Sequence, residues 1–220
     1  CALPIIFGFL FPAGILVGYS FIHYETAMNA EFLGNALNSF ILSSVAAVLA
    51  VAIGVFMAYG VRLRNERLLK IMARLASLGY AVPGSVLAVG VMVTLGAIDN
   101  GIDGFMLDSF GISTGLLFSG TIAAVTFGYL VRFLALSFGS VEASLEKVTP
   151  HMDGASRSLG HGAFSTLRKV HLPLIRGSIL TASMLVFVDC MKELPLTVIL
   201  RPFNFNTLAT FVHQYASDEQ

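Results

Sequence analysis

Five stretches of this 220-residue chain are apolar over roughly the length needed to cross hydrocarbon, and that constrains its fold more than any other property. They run at about 2–22, 38–60, 71–97, 115–137 and 177–200. A segment in lipid has no water for its amides, so each run must satisfy its own backbone as a helix. Composition agrees, with 56% hydrophobic and only 12% charged residues, against the roughly 25% charged residues of soluble domains. The expected fold class is all-α, a polytopic transmembrane helical bundle with about five spans present and a final span missing.

Net charge is zero, but its distribution is sided. Arg62, Arg64, Arg67, Lys70 and Arg74 follow the second run, and Lys147, Arg157, Arg168, Lys169 and Arg176 follow the fourth. The connections around Glu25 to Glu31 and Asp99 to Asp108 carry no Lys or Arg. Basic loops stay on the cytoplasmic side, so the N-terminus is expected to face the cytoplasm and the C-terminal tail to face outward. The chain opens without methionine and stops at SDEQ with no closing span, so residues 1–220 are expected to be one transmembrane domain incomplete at both ends. No basic n-region precedes the first run, as a cleavable signal would require. Cys1 and Cys190 have no metal-ligand spacing, and the histidines at 23, 151, 161, 171 and 213 are scattered, so no stable metal site is expected.

Prolines and glycines punctuate the runs. Pro12 lies within the first, and Pro83-Gly84 is expected to kink the third. The basic segment 140–176 is too long for a turn. Thr149 is a candidate cap for a helix starting at Pro150, Gly160 and Gly162 are placed to end it, and a second short helix over 163–171 should stop at Pro173. Leu159, Phe164 and Leu167 would then present apolar surface outside the bilayer, beside Arg157, Arg168 and Lys169. Two readings stand here, an amphipathic segment resting on membrane lipid headgroups or a dock for a cytoplasmic partner. The tail 201–220 should form an outer amphipathic helix capped at Asn206, with Leu208, Phe211, Val212 and Tyr215 on one face.

The stretch LVFVDCMKELPLTVIL places Asp189, Lys192 and Glu193 inside an apolar run and then breaks the helix at Pro195, leaving the Met191 carbonyl without its donor. Lys192 lies three residues from Asp189 and should neutralise part of its charge. The cluster is either an ion pair locking this span to a neighbour, or a weak oxygen-lined station for a passing hard cation on a translocation pathway kinked at Pro83 and Pro195.

GASRSLGHGAFSTLRKVHLPL, Gly154 to Leu174, resembles the cytoplasmic signature loop of bacterial ABC importer permeases, the EAA loop. Gly160, Val170, Leu172 and Pro173 fall at the family's spacings, and Ala155 matches its first alanine. Ser156 replaces the second, and Gly154 stands where glutamate is expected, with Asp153 one position earlier. The resemblance implies a type I, MetI-like permease fold in which this loop, here Asp153, Gly154, Ala155, Arg157, Leu159, Gly160, Phe164, Leu167, Leu172 and Pro173, couples to a cytoplasmic ABC ATPase dimer. YAVPGSVLAVGV and VDCMKELPLTVILRPFNFNTLAT resemble the ferric-iron branch, in which one chain commonly carries two such domains. The implied partners are the ATPase, a periplasmic substrate-binding protein and a second permease domain, all at a bacterial inner membrane.

No GxxxxGK[ST] phosphate loop occurs, so ATP is expected on a partner subunit and this chain is expected to be no enzyme. Nothing calls for a cofactor or a nucleic acid. The expected function is import, most specifically of ferric iron. The alternatives are the same class with thiamine, sulfate or phosphonate as cargo, and an ATP-independent secondary transporter or channel using the charges at 189–193.

Overall fold

The computed structural model describes residues 3–22, 29–64 and 66–217. Cys1, His23, Glu25 and the last three residues, on which parts of the sequence reading fell, lie outside the described residues. Five helices are long and apolar enough to cross a membrane: α1 (Leu3–Ile22), α2 (Ala30–Arg64), α4 (Gly84–Phe110), α5 (Ile122–Glu146) and α7 (Ala163–Met191). Shorter ones lie between and after them: α3 (Arg67–Ala76), α6 (Pro150–Ser158), α8 (Pro195–Leu200) and α9 (Leu208–Ser217). The bundle therefore has the expected class.

Its core is the packing of α2, α5 and α7, made close by small residues. Ala46, Ala47, Ala50, Ala58, Ala124 and Ala182 are all buried. This fits a solvent of hydrocarbon, where helices gain little by hiding leucine and associate where backbones approach closely. Ser137 adds a hydrogen bond between helices, from its hydroxyl to the Ala50 carbonyl at 2.8 Å. No residue of α1 is buried.

The third span departs from the sequence expectation. The run 71–97 is two elements, because α3 is an amphipathic helix with Arg67, Lys70 and Arg74, followed by a 3-10 turn over Ser77–Ala81. Pro83 does not kink a span. It stands just before α4, where its missing amide costs nothing, and α4 continues to Phe110. The acidic segment 99–108 is thus helical rather than a loop, and its carboxylates hold the connection that follows. Asp99 accepts the amides of Leu117, Phe118 and Ser119, and Asp103 accepts those of Thr114 and Gly115.

Pro173 likewise does not stop a helix. A π-helical turn over Leu167–His171 shifts the bonding so that Leu172 donates to the Leu167 carbonyl, and the helix passes the proline unbroken. The same device, a π turn over Ile6–Leu10, precedes Pro12 in α1. At the tail, Thr207 rather than Asn206 begins α9, its carbonyl accepting the Phe211 amide at 2.8 Å. Phe211 is buried and Leu208 half-buried, while Val212 and Tyr215 remain exposed.

Candidate functional site

Two clusters of polar side chains stand out against this apolar bundle. The first fastens α6 to the ends of three spans. Asp153 is its centre: its Oδ2 accepts Arg62 Nη2 at 2.8 Å and Nε at 3.1 Å, and its Oδ1 lies 2.6 Å from His171 Nε2. Arg62 also donates to the carbonyls of Leu145 and Val148, so one guanidinium ties the end of α2 to the end of α5 and to α6. Tyr59 donates to the Ala163 carbonyl at 2.7 Å, and the hydroxyls of Ser156 and Thr166 meet at 2.8 Å. Partial burial pushes the Asp153 carboxyl up, but the hydrogen bonds and charges of Arg62 and His171 outweigh it and hold the group below the ordinary carboxylate range.

Between α6 and α7 the chain turns at Gly160, whose φ of +78° is a left-handed conformation that a side chain resists. The turn is closed by the Gly160 amide on the Arg157 carbonyl and the His161 amide on the Ser156 carbonyl. Leu159 and Phe164 flank it and are 78% and 67% exposed. Leu167, expected to share this apolar tip, is instead buried among α2 and α5 residues, since the π turn rotates it inward. Leu172 is half-buried, and Gly154, Ala155, Arg157 and Pro173 are exposed. Thr149 precedes Pro150 as expected, though its side chain makes no capping bond.

The second cluster surrounds the gap between α7 and α8. Lys192 and Asp189 pair at 2.6 Å, with Tyr80 donating to Asp189 at 3.4 Å. Glu193 turns the other way and is buried. Its Oε2 lies 3.3 Å from Nε of Arg132, ten residues into α5 and so roughly 15 Å inside that span. That contact is an ion pair and not a hydrogen bond, and the hydrogen bond Arg132 makes is from Nη1 to the Val82 carbonyl at 3.0 Å. Glu193 Oε1 accepts the Leu196 amide at 3.3 Å, and its carbonyl accepts the Thr197 hydroxyl, which in turn meets Tyr129 at 2.6 Å. Gly84 leaves room for all this: a Cβ there would stand 2.7 Å from Glu193 Oε1 and 2.9 Å from Arg132 Nη1. Pro83 and Pro195 themselves are exposed beside the cluster.

Residues 50–205 match the family described as "Binding-protein-dependent transport system inner membrane component". The chain belongs to that family. It is a multi-pass inner-membrane permease subunit of the ABC importer type. The permease is 28% identical over 191 residues to the Fe(3+)-transport system permease protein FbpB 2 of Haemophilus influenzae, covering 87% of this chain and 35% of that one. It is 25% identical over 192 residues to a putative 2-aminoethylphosphonate transport system permease protein, PhnV, of Salmonella paratyphi A, covering 87% and 66%. A probable transport system permease protein, NifC, of Clostridium pasteurianum is 25% identical over 79% of this chain and 59% of its own. The permease thus spans about a third of the iron-transport relative and at most about two thirds of the others.

The structure brings the sequence-derived residues of the permease into two places and adds partners that the sequence did not show. Arg62 was read only as one of the basic residues that set topology, Tyr59 was hidden at the end of an apolar run, and Arg132 lay unmarked inside the fourth; an arginine that deep in a span was the available signal. His171 is fully buried on Asp153, and among the described residues its Nδ1 has no partner.

Proposed function

We propose that this permease is the membrane-spanning part of an ATP-driven importer that receives ferric iron from a periplasmic binding protein. An ATPase dimer works it through the turn at Gly160, and a second permease domain completes the pathway. The single observation that carries the coupling role is that turn: an exposed apolar tip of Leu159 and Phe164, held on a rigid base by Arg62, Asp153 and His171. Exposed apolar side chains at a basic, water-facing end need a cover, and a protein groove supplies one. The base then passes any displacement of α6 to α2, α5 and α7 together, so ATP binding in the partner biases the whole bundle between two states. The likeness to an iron-transport permease supports iron, and the likeness to the phosphonate relative marks the competing cargo.

The test is uptake in cells carrying the full-length protein with its neighbouring transport genes, comparing radioactive ferric iron with 2-aminoethylphosphonate. Iron uptake that stops on ATP depletion, and that Gly160→Val abolishes while the protein still inserts, is the expected result. Phosphonate uptake without iron uptake would overturn the cargo; transport that survives ATP depletion or Gly160→Val at the unmodified rate would overturn the coupling.

A further inference from the structure

Along one side of the bundle, residues of α2 and α7 line a groove of about 490 Å³. Val48, Val51, Ala52 and Val55 form one wall, and Leu172, Ile179 and Ser183 are on the other. The lining is almost wholly apolar, because the Ser183 hydroxyl is turned back onto the Ile179 carbonyl at 2.9 Å. Arg168 closes the basic end of the groove. Its neighbour Lys169 is exposed with it, and among the described residues neither stands within 4 Å of a carboxylate.

We propose that this groove is a binding site for one anionic phospholipid, an acyl chain lying along Val48 to Val55 and the phosphate meeting Arg168 and Lys169. Depth favours lipid over a partner helix. The α2 wall from Val48 to Phe56 is about 12 Å long, close to one leaflet's share of the roughly 30 Å hydrocarbon layer, whereas a crossing helix needs a face running the whole depth. Charge favours an anionic headgroup. Arg168 on the apolar wall and its exposed neighbour Lys169 are two cations without carboxylate partners among the described residues, which one phosphate would satisfy and for which a transmembrane helix would have to bring its own carboxylates. The π turn carries two of the lining residues, Leu167, buried on the groove floor, and Arg168, exposed beside it. Phe164, assigned above to the coupling tip, borders the groove at the Arg168 end, so the site adjoins the proposed ATPase contact, while it does not depend on the cargo.

The experiment is native mass spectrometry of the full-length complex, purified in mild detergent and titrated with phosphatidylglycerol or phosphatidylcholine of the same chains. One phosphatidylglycerol should be retained in preference to phosphatidylcholine. Replacing both cations, Arg168→Gln with Lys169→Gln, should weaken it about thirtyfold, the combined effect of two cations near an anionic headgroup. Arg168→Lys should bind nearly as the unmodified complex does, and Ala52→Phe with Ser183→Phe should expel both lipids. Equal retention of the two lipids overturns the proposal, as does equal loss in Arg168→Lys and Arg168→Gln, which would make the arginine merely structural. A high-yield cross-link from Ala52→Cys to another permease domain would also overturn it, because the groove would then be a helix interface.

Discussion

Glu193 shows how far a residue's role depends on a partner remote in sequence. From the string DCMKELP its charge looks available to a passing cation, with Lys192 spaced to neutralise Asp189. In the fold Lys192 serves Asp189, while Glu193 faces Arg132 across the bundle and caps the first amide of α8. The i,i+3 spacing made the first pair legible; nothing local could reveal the second, since its members are 61 positions apart (193 − 132). A cation reaching this carboxylate must compete with a guanidinium already in place. Removing one member leaves the other buried and uncompensated, a loss of about 3–5 kcal/mol. Arg132→Gln and Glu193→Gln should therefore each lower the thermal midpoint of the purified complex, and the double variant should recover much of the loss, as coupled neighbours do. Strictly additive losses would mean that the two charges do not depend on one another, which would leave Glu193 free for the oxygen-lined station.

At the scale of elements, hydropathy located five spans but misjudged the bounds of all except the first. A hydropathy window registers apolar density and is blind to direction, so the apolar side of amphipathic α3 was merged with the start of α4. Proline was overvalued as a terminator, because a π turn can supply the carbonyl rearrangement that proline demands. The helix–glycine turn–helix at 150–171 was legible because its signals, Pro150 and Gly160, act locally. What joins α6 to the spans was not. Arg62→Gln should free α6 from α2 while leaving the spans inserted, seen as faster motion of a nitroxide placed at Leu159→Cys. Asp153 gives the pH dependence of that joint. Its carboxyl titrates below its unfolded value, so the native state binds fewer protons than the unfolded chain, and the contribution is complete above the ordinary carboxylate range and lost as pH falls through the lower, folded value. The difference in label mobility between the unmodified protein and Asp153→Asn should thus hold steady from about pH 8 to about pH 5 and shrink below about pH 4. A difference that vanishes near neutrality would assign the fastening to some other group.

The whole molecule divides into a core that organises itself and a span that takes no share in it. Residues of α2, α4, α5, α7 and α8 make one buried cluster, and α2, α3, α5 and α7 make the other; α1 gives a residue to neither. Its 20 residues contain an 18-residue stretch with a mean hydropathy of 2.1, so lipid alone satisfies their side chains, and its π turn and helix satisfy its backbone. Among the described residues, then, no buried position fixes its sequence beyond its being apolar and long enough to cross. Exchanging Leu3–Ile22 for a leucine–alanine span of equal length should leave insertion and the thermal midpoint of the core unchanged, because no buried residue is removed. Should the midpoint fall as it does for a core substitution such as Ala182→Leu, where a large side chain is forced into a fully buried position of α7, α1 must pack against the bundle in the membrane. If instead the midpoint holds but transport is lost, the face of α1 matters to a partner domain and not to the fold of this one.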